Sequence, residues 1–144
     1  MRSIRSNPSS VAPPVGTYSH AAVVETGEVR WLFVSGQLAL DADGVLVGAG
    51  DMAAQTEQVF ENLLHILEEH GAAFEDVVKI QTFVTTLEGF PEVREVRARY
   101  LPEEPPASTA VQVAALVMPD AMIEVDVVAV LAVALKHWKE PADE

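Results

Sequence analysis

The residues best suited to chemistry lie in the stretch Pro105 to Val130, where Glu124 and Asp126 sit inside a long, β-branched apolar run. Side chains alternate along a strand, so both carboxylates share one face while Ile123, Val125 and Val127 share the other. A carboxylate in such company lies either on a wetted sheet face or in a cleft. In a cleft, desolvation raises its pKa and suits it to proton transfer. Other chemistries are poorly represented. The chain has no cysteine, which excludes disulfides, thiolate catalysis and Cys-ligated zinc. Its four histidines, His20, His65, His70 and His137, show no spacing that pairs them with acids as metal ligands. No serine occupies a nucleophile elbow and no lysine follows the glycines ahead of Asp51, so neither a serine hydrolase nor a phosphate loop is expected.

The elements that must position these acids follow from periodicity. Residues 1–15 are rich in serine and proline and read as a flexible arm, followed by a domain over 16–135 and a tail over 136–144. Tyr18 to Val24 and Val29 to Leu38 are predicted strands joined by a hairpin at Glu25-Thr26-Gly27-Glu28. Asp43-Gly44 marks a loop, with a short strand expected near Val45 to Val47. Asp51 caps a helix that runs to His70 and stops at Gly71. Its Val59, Phe60, Leu63, Ile66 and Leu67 share one side and its glutamates largely the other. A strand over Val77 to Thr85 and a helix from about Gly89 to Leu101 come next. Two consecutive strands, Ala110 to Val117 and Met122 to Val130, follow, joined by a turn at Pro119-Asp120. The order β-β-α-β-α-β-β is an α+β pattern. Two helices cover only one face of such a sheet, and several strands are apolar on both faces. The uncovered face predicts self-association.

The net charge is −13, with nine basic residues against twenty-two acidic. Nucleic-acid binding draws most of its affinity from neutralising phosphates, so that partner is not expected. No apolar run reaches the ~20 residues that span a bilayer, and the amino terminus lacks a secretory pattern; a cytoplasmic protein without a membrane partner is expected.

Several short motifs, weak singly, are specific in their order and spacing. They are Gly16-Thr17-Tyr18-Ser19, Phe33-Val34-Ser35-Gly36-Gln37, Ala53-Ala54-Gln55 with Asn62-Leu63, Thr82-Phe83-Val84, Pro106-Ala107 and Ile123-Glu124-Val125. On these, over residues 15–131, the chain resembles the RidA/YjgF group. The resemblance implies a chorismate-mutase-like α+β fold with a mixed sheet and two helices on one face. It also implies a homotrimer, a small-molecule cleft between subunits, no cofactor, and hydrolysis of imines or enamines to carbonyl compounds and ammonia. Residues carried over to the cleft are Tyr18, Ser35, Gly36 and Glu124, with Glu124 as the catalytic, water-activating carboxylate. One position departs. Deaminating members follow Pro-Ala with an arginine that clamps the substrate carboxylate, and this chain has Ser108 there, with Ala110 two residues on where a cysteine is frequent. Serine supplies neither the charge nor the planar fork. The expected substrate is therefore not a simple 2-imino acid. Arg94, aligned with an asparagine common in the group, is the candidate replacement cation. The alternative is the same trimer binding a metabolite without turning it over. Asp126 is read as a structural or interfacial acid, and Trp31, Phe33 and Phe83 as core or interface residues.

Overall fold

A computed structural model describes residues 1–133. Its order is β1 (Arg2–Ser6), β2 (Ala21–Thr26), β3 (Val29–Gln37), α1 (Met52–Glu69), β4 (Val77–Val84), α2 (Phe90–Tyr100), β5 (Ala107–Gln112) and β6 (Ile123–Ala132). The strands make one six-stranded sheet ordered β1-β2-β3-β6-β4-β5, in which β4–β5 is the parallel pair and the other pairs are antiparallel. This is the mixed-sheet α+β architecture expected.

The hairpin β2–β3 turns at Gly27-Glu28, with Gly27 at φ +59° and Thr26 paired to Val29. Helix α1 begins where the Asp51 side chain accepts from Ala54 N at 3.0 Å. It presents Val59, Phe60, Leu63, Ile66 and Leu67 to the sheet, all buried with Leu32, Ile80, Val125 and Val127 in one core. Helix α2 adds Val93 to that core. It is tied to α1 where Arg99 and Tyr100 both donate to Glu57. Along β6 burial alternates strictly, Ile123, Val125, Val127 and Ala129 being buried and Glu124, Asp126, Val128 and Val130 half-buried. The two acids therefore do share the face opposite the helices. On that face Trp31 and Phe33 stack at 6.4 Å between ring centroids while remaining 40% and 44% exposed.

Five sequence expectations are corrected. The supposed flexible arm is not free: Arg2–Ser6 pairs with the edge of β2, and Val11 and Ala12 are buried. Backbone pairing needs no apolar alternation, and Arg2-Ser3-Ile4-Arg5-Ser6 carries none, so this strand left no pattern to read. Tyr18 lies ahead of β2, which begins at Ala21. The segment Ala110 to Val117 is not a strand over its length, since β5 spans Ala107–Gln112 and residues 113–122 form a loop. Finally, β5 and β6 are consecutive in sequence without being neighbours, because β4 lies between them. The β4-α2-β5 unit is a crossover that sets β5 parallel to β4 at the sheet edge, which leaves β6 to pair between β3 and β4. The short strand near Val45 to Val47 reduces to one bridge, Leu40 to Leu46. Residues 134–144, including most of the expected tail, lie outside the described residues.

Candidate functional site

The site begins with an irregularity in β3. The pairing of β3 with β6 runs Val34 to Val127, then resumes at Gln37 to Val125, so Ser35 and Gly36 form a bulge. A bulge re-aims side chains, and this one is pinned from both sides. Ser35 N donates to His20 O at 2.8 Å, and Ser35 Oγ donates to Ser19 O at 2.6 Å. Glycine is needed at the next position. A Cβ on Gly36 would lie 2.8 Å from Cδ and 2.9 Å from Cγ of Glu124, closer than real contacts allow. The Glu124 side chain thus lies flat over the bare backbone of Gly36.

Above this contact opens a cleft of about 310 Å³. Tyr18, Ser35, Gly36 and Glu124 all line it, and much of the remaining wall is apolar, supplied by Val11, Pro13, Val15, Leu38 and Leu40 among others. Burial holds the Glu124 carboxyl above the ordinary carboxylate range, with the nearby charge of Asp126 adding to the effect. Asp126 is itself raised by burial, against the opposing pull of Lys79. The Glu124 carboxyl makes no hydrogen bond among the described residues, so its oxygens are available to a molecule in the cleft. Tyr18 reaches in from the preceding loop, its ring edge-on to His20 at 6.2 Å.

Several residues that build the site were given no role in the sequence reading, although Gln37, Gln55 and Asn62 stand in its motifs. His20, read only as a non-ligand, is a buried part of the cleft wall. A carbonyl only accepts, so the 2.7 Å contact of His20 Nε2 with Ala12 O places the proton on Nε2. That leaves Nδ1 to accept from Gln37 Nε2 at 3.1 Å. Gln37 Nε2 also donates to Ser35 O at 3.1 Å. One network therefore fastens the amino-terminal segment to the bulge. Helix α1 contributes two buried amides. Asn62 Nδ2 donates to Leu38 O and Leu40 O at 3.2 and 2.9 Å, holding the opposite wall. Gln55 donates to Gly48 O and Asp120 O and accepts from Met122 N at 2.8 Å, which anchors the turn leading into Glu124. The available signal was polar residues at positions 55 and 62, on the apolar stripe of an amphipathic helix; such groups stay buried only when bonded.

The remaining candidates are elsewhere. Ser108 and Ala110 are on β5, paired with Ile80 and Thr82 of β4 and exposed at the sheet edge. Ser108 Oγ accepts from Arg97 Nη2 at 3.2 Å. Arg94 lies over the Phe90 ring at 5.2 Å and lines a different groove. Within one chain these three do not meet Glu124. Among the described residues no cluster of three or more His, Cys, Asp or Glu is arranged to hold a metal, and no helix is long and apolar enough to cross a membrane.

Comparison with known proteins follows the same outline. The family described as Endoribonuclease L-PSP matches residues 9–131. The 3-aminoacrylate deaminase RutC of Acinetobacter baylyi is 39% identical over 122 residues, covering 85% of this chain and 93% of its own. Protein DfrA of Myxococcus xanthus is 40% identical over 81% of this chain and 86% of its own. Among solved structures, RidA from an Antarctic Psychrobacter superposes with a TM-score of 0.77 at 36% identity, covering 87% of this chain and 97% of that one. Yeast Mmf1 gives 0.79 at 28% identity, over 90% and 98%.

Proposed function

Because the chain belongs to the Endoribonuclease L-PSP family, the RidA/YjgF group, we propose that it hydrolyses an imine or enamine to a carbonyl compound and ammonia. The observation that carries this reading is the Glu124 carboxyl, raised by burial and unbonded, laid across Gly36 in a largely apolar cleft. Water adds to the imine carbon while Glu124 takes its proton. Glu124 passes that proton to the nitrogen to give the neutral amino alcohol, then takes the hydroxyl proton as the carbonyl forms and delivers it to the nitrogen as the carbon–nitrogen bond breaks, releasing ammonia. A base whose pKa burial has raised suits both halves, since it holds the proton more tightly than an ordinary carboxylate and can still give it back. Tyr18 and Ser35 line the cleft as substrate-positioning groups. Ser108, Ala110 and Arg94 enter such a site only from a neighbouring chain, which the homotrimer implied by the family resemblance would supply.

The substrate follows from what the cleft lacks. The 3-aminoacrylate of the relative's name carries a carboxylate, and no lysine or arginine lines this cleft. An imine or enamine with an apolar substituent and no α-carboxylate suits it better. The same observation, with Ser108 where an arginine would stand, favours a second reading in which the cleft binds a metabolite without turnover. The nuclease in the family's title is opposed by the charge of −13.

Ammonia release from freshly generated imines with and without an α-carboxylate tests the reading. Acceleration of the carboxylate-free set, abolished in Glu124→Ala, is expected. Activity on 2-imino acids gained only in Ser108→Arg would leave a competent scaffold whose natural role is different. Silence from every version would move the binding reading ahead.

A further inference from the structure

The helix-free face of the sheet carries a second groove beside the cleft, and strand register places its residues. Arg5 on β1 is paired with Ala22 on β2, Ala22 with Phe33 on β3, and Phe33 with Val128 on β6. Directly opposed residues share a face, so Arg5 stands in one row with Phe33 on the side that also bears Glu124. A groove of about 460 Å³ opens there, lined by Arg5, Ala22 and Phe33 together with Tyr18 and Ser35. Tyr18 and Ser35 also line the cleft that holds Glu124, so the two hollows share a wall. Phe33, 44% exposed, gives the groove an apolar lining, and the small Ala22 leaves space between it and Arg5. Arg5 is exposed and donates to Ser3 Oγ and Ile4 O. Among the described residues it pairs with no carboxylate, in a chain with twenty-two acidic residues against nine basic. A guanidinium without a counter-charge, beside an exposed aromatic ring, is arranged for an anion that carries apolar surface.

We propose that Arg5 is a specificity-determining residue that takes the terminal carboxylate of an imine or enamine substrate whose apolar chain runs from the cleft past Tyr18 and Phe33. This deepens the imine reading and rests on it. The carboxylate concerned is not the one attached to the reacting carbon of a 2-imino acid. Three strand spacings separate β1 from β6, ~14 Å across the sheet, and the row through Arg5 meets β6 at Val128, ~13 Å along the strand from Glu124. Even with both side chains extended, a group held by Arg5 lies several carbons from an imine carbon held at Glu124. The guanidinium offers a planar fork to the two carboxylate oxygens, and Phe33 covers the methylenes between. One guanidinium on a chain of net charge −13 suits a monoanion better than a doubly charged phosphate.

The test has a turnover arm and a binding arm, both on the full chain. An amine oxidase generates imines without an α-carboxylate from hexylamine and from ε-aminohexanoate, a pair matched in length. Ammonia release should favour the carboxylated imine in kcat/KM, and Arg5→Gln should lower that preference about tenfold, as loss of a charge-assisted fork implies. Arg5→Lys, which keeps the charge without the fork, should restore part of it. NMR titrations with hexanoate and with hexanol, at ionic strength held constant with chloride, read binding at the amides of Ala22 and Phe33 and at the Arg5 Nε–H. Saturable shifts with hexanoate are expected, weakened in Arg5→Gln and retained in Glu124→Ala. Turnover that ignores the terminal charge overturns the Arg5 proposal and leaves the imine reading standing. Silence in the turnover arm with Arg5-dependent binding of hexanoate removes the imine reading and keeps Arg5 as the carboxylate subsite of a binding protein. Hexanoate shifts that persist unchanged in Arg5→Gln, or that follow total salt, overturn the proposal, as does the absence of any binding.

Discussion

Glu124 is the residue whose surroundings can be turned into numbers at the bench. Its raised pKa comes from burial first and Asp126 second, so the deprotonated base needed for catalysis appears only above the ordinary carboxylate range. The acid limb of kcat/KM against pH should lie there, and Asp126→Asn should move it to lower pH by removing the neighbouring charge. Movement in the other direction would show that the limb belongs to a different group. The same shift has a stability consequence. A folded-state pKa above the unfolded value favours the fold while the group is protonated, and that contribution is lost as pH rises through the folded pKa. Glu124→Gln should therefore melt higher than the wild type at neutral pH, with the difference vanishing near pH 4, while turnover falls by roughly 10²-fold or more. Gly36→Ala should leave the fold in place by circular dichroism yet lose most activity, because the new methyl displaces the Glu124 side chain.

At the scale of elements, the site is held by polar groups that helix α1 buries. Gln55 is fully buried and serves three backbone groups, on Gly48, Asp120 and Met122. Asp120 has a positive φ of 65°, a conformation that an aspartate tolerates and that this amide holds in place. Gln55→Leu, nearly the same size, should cost about 1–3 kcal/mol by leaving buried polar groups unpaired, measured by chemical denaturation. An unchanged midpoint would mean that water replaces the amide. This layer was only partly legible in the sequence. The helix, its Asp51 cap and its apolar stripe follow from periodicity and are present, whereas the partners of Gln55 lie up to 67 residues away and no local pattern points to them.

For the whole molecule, the decisive feature is the sheet face without helices. Trp31, Phe33 and Val29 lie exposed together along β3, each at least 37%, besides exposed apolar residues elsewhere such as Val45, Leu87 and Val117. Exposed apolar area of that kind marks an interface. Sedimentation should give the mass of a homotrimer, and Trp31→Asp with Phe33→Asp should yield smaller species. A wild type that sediments as a monomer would remove the inter-subunit cleft from the functional reading. Alternation and composition alone determined much of this protein: both helices, the hairpin, the acids on one face of β6 and the surplus apolar face. These are local or additive properties, written in period, cap and charge. Only the tertiary structure decided that β4 lies between β5 and β6, that the amino-terminal residues form an edge strand and wall a cleft, that His20 and Gln37 brace the bulge beneath Glu124, and that Arg97 reaches Ser108. Each depends on residues brought together by strand crossover and backbone pairing, which link distant positions without leaving a periodic trace in either one.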